Sequence, residues 1–122
     1  MDLSFFSDLV ESKLLSTHTA YLAAVIRTNG STATVQPLTM IKQRGKTAET
    51  PAVISGIPVM LQARYKIAPD GNGGITASAL TTGDVVLCVV CERDISKARS
   101  GVLAVPTYRH HDLSDSVVVG VL

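Results

Sequence analysis

Seven consecutive residues, Val85-Val86-Leu87-Cys88-Val89-Val90-Cys91, are apolar, and they are bracketed by Thr82-Gly83-Asp84 and Glu92-Arg93-Asp94. The run is too short for an ordinary helix and rich in β-branched side chains, so it reads as a buried strand between two turns. It is expected at the centre of a small β structure. Neither this run nor Val117 to Val119 reaches the roughly 18 to 20 apolar residues of a membrane-spanning helix. A soluble chain without direct membrane insertion is expected.

The remaining composition points the same way. Aromatic residues make up only 4% of the 122 residues and charged residues 17%, against 46% hydrophobic. The core must therefore come from Val, Ile, Leu and Ala, a palette that suits strands. One domain fits this length. Eleven Lys and Arg against ten acidic residues give a formal charge of +1, which provides no overall field for a polyanion. The N-terminus, Met1-Asp2-Leu3-Ser4-Phe5-Phe6, is acidic where a secretory signal would be basic, so no signal peptide is expected.

Residues 1–19 and 20–122 differ in periodicity. Leu3, Phe6, Val10 and Leu14 recur at the spacing of one helix face, which predicts a short amphipathic helix up to about Ser16. It carries both phenylalanines, Phe5 and Phe6, which need a surface on the barrel or on a neighbouring subunit. From Ala20 the pattern is that of strands. Tyr21 to Thr28 and Ser31 to Pro37 flank Asn29-Gly30, a hairpin signal. Met40 to Thr50, with Lys42, Arg44 and Lys46, reads as an exposed basic loop. Ala52 to Ile54 and Ile57 to Leu61 read as short strand pieces, with Pro58 at an edge or bulge. Arg64 to Ala68 and Ile75 to Leu80 form a second hairpin around a glycine-rich tip. No helix follows that tip, so it is not a phosphate-binding loop. Ser96 to Gly101 reads as a polar connection, Val102 to Tyr108 as another extended piece, and Val117 to Val119 as a last strand. Five or six short strands without α/β alternation predict an all-β barrel of the oligonucleotide/oligosaccharide-binding (OB) type with one N-terminal helix.

Three features invite chemistry. Cys88 and Cys91 have the C-x-x-C spacing of redox and zinc sites, but three positions apart on a strand they face opposite sides about 10 Å apart, beyond the reach of a disulfide. They read as buried fillers. Arg109-His110-His111-Asp112-Leu113-Ser114-Asp115 has the composition of a metal or hydrolytic site. Adjacent histidines on an extended segment point apart, however, and no G-x-S-x-G turn surrounds Ser114. Asp112, Ser114 and Asp115 read instead as acceptors that fix a turn before the final strand. Arg93 and Asp94 could pair with that turn across the barrel mouth. Third, an OB-type barrel can bind single-stranded nucleic acid, but the barrel region offers only Tyr21, Tyr65 and Tyr108 as stacking platforms.

Gly83, Asp84, Arg93 and then Arg109, His111, Asp112, Leu113, Ser114 and Asp115 resemble the N-terminal domain of phage membrane-puncturing spike proteins. There, a Gly-Asp turn precedes an apolar strand ending near an Arg, and an Arg-x-His-Asp-Leu-Ser-Asp segment closes the domain. Ala33 to Pro37 and Ile57-Pro58-Val59 resemble strand-forming stretches of the same family, so the likeness covers about Tyr21 to Leu122. It implies an OB-fold homotrimer in the baseplate of a contractile tail, beneath the hub and among neighbouring tail proteins. No catalytic, cofactor or metal site, small-molecule substrate or nucleic-acid partner is implied. The protein would be made in the host bacterial cytoplasm. In the spikes this domain leads into a β-helical needle tipped by a histidine-held iron ion. The present chain stops at Leu122 without either, which fits a needle-less plug, an adaptor for another protein, or a shortened form of a longer chain.

Overall fold

The computed structural model describes residues 3–42, 45–105 and 107–122. Arg44 of the basic loop lies outside them. Helix α1 covers Ser4–Ser16. Seven strands follow: β1 Ala20–Thr28, β2 Thr32–Pro37, β3 Ile54–Pro58, β4 Tyr65–Pro69, β5 Ile75–Ala79, β6 Val85–Val90 and β7 Ser116–Val121. Five of them make one antiparallel sheet in the order β3-β2-β1-β6-β7, while β4 and β5 form a separate hairpin. The long sheet curls until its edges meet. Val59, one residue past β3, bridges Val118 of β7 in parallel, and the Met60 amide donates to the Val118 carbonyl at 3.0 Å. The result is a small OB-fold-like β domain with one short N-terminal helix.

Curling puts alternate side chains inside. Ala23 and Val25 of β1, Ala33 and Val35 of β2, Ile54 and Ile57 of β3, Val86 and Cys88 of β6 and Val118 of β7 form the core, with Val59, Ala63 and Leu80 at its margins. Side chains this small suit a tight barrel. Each buried valine or isoleucine contributes about 1.5–3 kcal/mol.

Three expectations need correction. The central strand is β1, which pairs with both β2 and β6; β6 lies beside it and is buried on one face only, since Leu87 and Val89 point outward and are exposed. The unbroken apolar run concealed that alternation because its outward residues are apolar too. Second, Val102 to Val105 lie outside any strand, and Leu103 and Val105 stand open to solvent. Third, the centre of the first hairpin is Gly30-Ser31. Thr28 pairs with Ala33, and the Asn29 amide donates to the Thr32 carbonyl at 3.2 Å. Only Gly30 takes positive φ (99°), while the Asn29 side-chain oxygen accepts from the amides of Ser31 and Thr32. Asn29 thus closes the turn from outside its centre, as Asx residues often do.

Helix α1 forms over the expected residues but buries none of them. Its apolar side chains extend past the expected face to include Phe5, Leu9 and Leu15, all exposed.

Replacing Ile57, which is fully enclosed, with alanine should lower the unfolding free energy by about 3 kcal/mol. Leu9→Ala on α1 should change it by less than about 0.5 kcal/mol in dilute urea titrations. Equal losses at both positions would contradict the placement of the core.

Candidate functional site

β6 has a polar junction at each end, and the residues singled out in the sequence divide between them. At its start, Gly83 takes φ 94° and directs its amide to the Val25 carbonyl at 2.8 Å, while the Val25 amide donates to the Asp84 carbonyl at 2.8 Å. This turn is fitted to an irregularity in β1, whose register against β2 shifts between Val25 and Arg27. The Ile26 carbonyl there accepts from the Thr82 hydroxyl. The Asp84 carboxylate accepts from the Thr81 amide at 2.8 Å and pairs with Lys66 of β4 at 3.1 Å. The Thr81 amide, followed by Lys66, holds the Asp84 carboxyl below the usual carboxylate range.

At the other end of β6, residues 91–115 leave the barrel and return as β7. Asp115 closes that excursion. Its side chain is 1% exposed and takes a two-point grip from Arg109, Nη2 to Oδ1 at 2.7 Å and Nε to Oδ2 at 3.1 Å. The Ile95 amide donates to Oδ1 as well. Asp94 accepts from the same guanidinium at 2.7 Å, so Asp94, Arg109 and Asp115 form one ionic cluster. Arg93 points elsewhere and donates to the Thr107 carbonyl. Hydrogen bonds from Ser96, and then the Arg109 charge, lower the Asp94 pKa. Ser114, through its hydroxyl and its amide, does the same for Asp112.

His111 adopts φ 47° and is the only non-glycine residue at positive φ among those described. A histidine there is uncommon. In that conformation its amide donates to the Glu92 carbonyl at 3.1 Å, and its Nδ1 meets the His18 carbonyl at 3.1 Å. The neighbouring Thr19 carbonyl accepts from the Val90 amide at 2.7 Å. The link between α1 and β1 is thereby tied to the end of β6. No residue-type signal marks His18 for this role, because it takes part through its backbone carbonyl and not its imidazole.

The Ser114 hydroxyl donates to Asp112 at 2.6 Å, so the serine meets a carboxylate and not an imidazole. This is a turn held by its own side chains. Among the described residues, no three His, Cys, Asp or Glu side chains are grouped to hold a metal ion. Cys88 is enclosed and its thiol is pushed up to about 11 by burial, while burial raises Cys91 as well. Tyr21 is turned inward, donating to Ser116 Oγ at 2.7 Å, and Ser116 in turn donates to the Leu113 carbonyl. Burial raises its phenol well above the ordinary value. Tyr65 and Tyr108 face solvent.

Phe5 and Phe6 sit far along the chain from both junctions, on exposed turns of α1, with their rings edge to face at 5.6 Å. Among the described residues, no helix is long and apolar enough to cross a membrane. No protein-family model matches the chain, and no curated protein is significantly similar to it.

Two outcomes follow from the junctions. Asp115→Ala would leave the Ile95 amide and Arg109 Nε without their acceptor, with only Asp94 still paired to the guanidinium, and should cost about 2 kcal/mol of stability, with Asp94→Ala costing less; equal and negligible losses would show that the cluster does not hold the excursion. Carboxyls with lowered folded pKa values stabilise fully above their unfolded-chain value near 4, and that stabilisation is lost as pH falls through the folded values. The melting temperature should therefore be level from about pH 7 to 5 and drop below about pH 4. Asp84→Asn should flatten part of that acid limb. An unchanged acid limb in this variant would remove Asp84 from the explanation.

Proposed function

We propose that the chain is a structural component of a phage-type contractile tail baseplate. It acts there as a central spike or hub-plug protein, assembled as a homotrimer against the hub and neighbouring tail proteins. The observation that carries this reading is the contrast between a small, closed core and a large apolar exterior. Phe5, Phe6, Leu14, Leu103, Val105 and Tyr108 are all largely or wholly exposed, on segments outside the barrel strands. Phe5 and Phe6 touch one another, and exposed apolar patches mark contact with other proteins.

The likeness of Gly83-Asp84 and Arg109 to Asp115 to the spike domains supplies the particular assembly. The polar groups of those motifs are used up internally, in the turn against β1 and in the Arg109 cluster. Their role in this reading is to hold the barrel ends rigid while α1 and the excursion face partners. Nucleic-acid binding through the OB surface is the weaker alternative. Tyr21 is engaged with Ser116, which takes one of the three tyrosines from the stacking platform such binding uses, and the formal net charge is only +1.

Light scattering over a range of concentrations should give the mass of three chains. Deleting residues 1–16 should lower that mass while leaving the melting of the barrel nearly unchanged. A single-chain mass at every concentration would contradict the trimer, and a salt-sensitive shift of single-stranded DNA would favour the alternative.

A further inference from the structure

We infer that α1 docks on the outer face of the β1-β6-β7 sheet of a second copy, in a head-to-tail contact aimed by the His111 clamp. This rests on the assembly reading above and names the surfaces that make it. Thirteen residues is near the lower limit for a helix without a packing partner in water. No residue of α1 is buried. Its exposed Leu3, Phe5, Phe6, Leu9, Val10 and Leu14 offer on the order of 600 Å² of apolar surface, close to the roughly 800 Å² that each partner contributes to a stable interface.

The same chain carries a matching unpartnered surface. Leu22 of β1 lies opposite Leu87 of β6, Ala20 lies opposite Val89, and Val89 lies opposite Val117 of β7. All of these alternate with inward residues, so they share the outer face, where Leu22, Leu87 and Val89 are each about 40% exposed. No charged side chain belongs to this strip. Residues on three adjacent strands make a continuous apolar seat for one helix face.

The link that leads from the helix into the barrel is fixed. His111 Nδ1 on the His18 carbonyl and the Val90 amide on the Thr19 carbonyl hold it at the end of β6, and the apolar side chains of α1 are exposed. A helix presented outward and a seat elsewhere on the same chain form two different patches. Their contact is heterologous, and repeated with rotation it closes into a ring. The His111 backbone, held at φ 47°, is a positioning element in this arrangement.

The test uses the full chain and two single variants, Phe6→Glu on the helix and Leu87→Glu on the seat, with mass read by sedimentation and folding checked by far-UV circular dichroism. Each variant alone should be a single chain at concentrations where the parent assembles. Their equimolar mixture should form a two-chain species, since it still offers one intact helix and one intact seat. Leu87→Thr, which suits a strand, should weaken association in the same direction if the glutamate disturbs the barrel. His111→Ala should weaken association at least tenfold with the barrel spectrum retained. If Leu87→Glu and Leu87→Thr assemble like the parent, the seat is elsewhere and the inference fails while the assembly reading stands. A parent that never associates overturns both.

Discussion

The enclosed carboxylate of Asp115 is the constraint around which one end of the molecule is organised. A charge removed from water must be paired and hydrogen-bonded in full, and here Arg109, the Ile95 amide and, through Arg109, Asp94 supply the partners. Those partners are spread over residues 94–109, so pairing Asp115 draws the whole excursion between β6 and β7 onto the barrel end. The Asp115 carbonyl adds a bond from the Cys91 amide, and the next residue, Ser116, receives Tyr21 of β1. A long connection that would otherwise cost closure entropy with little return becomes a fixed platform. The link to α1 is fastened to that platform by His111.

Much of this was legible in the sequence where the cause is local. Alternation and turn residues marked most strands within a residue or two, although β3 is one strand, Ile54–Pro58, running through Ser55-Gly56 where two pieces were expected, and Asp112 with Ser114 formed the turn that short side-chain acceptors form. The exchange between Asp115 and Arg109 spans six residues and was visible as composition, though not as a two-point grip. What was hidden depends on pairing between distant segments. The central place of β1 follows from its having partners on both sides, which no single run reveals, and β6 looked fully buried because Leu87 and Val89 are apolar yet face outward. Backbone acceptors such as the His18 carbonyl leave no mark in residue type at all. The helix was visible from its spacing, but the exposure of its apolar side chains was not.

The two classes of surface have different physical duties. Inside, small aliphatic side chains close an OB-fold-like barrel without an aromatic core, and the charged residues at its ends are spent on one another. Outside, the largest apolar side chains of the chain lie on α1 and on residues 102–108, where the barrel gains nothing from them. A monomer built this way pays for apolar exposure that an assembly would remove. Under the proposed assembly, this division would let the residues at the barrel ends stiffen the part that is held while the exposed segments make the contacts.

Hydrogen–deuterium exchange of the α1 amides as a function of protein concentration tests that division most directly. At concentrations where chains associate, residues 4–16 should be protected, and dilution to single chains should release that protection while the β6 amides remain slow. Protection of α1 that is independent of concentration, or its complete absence at every concentration, would contradict the claim that the helix finds its packing surface on another chain.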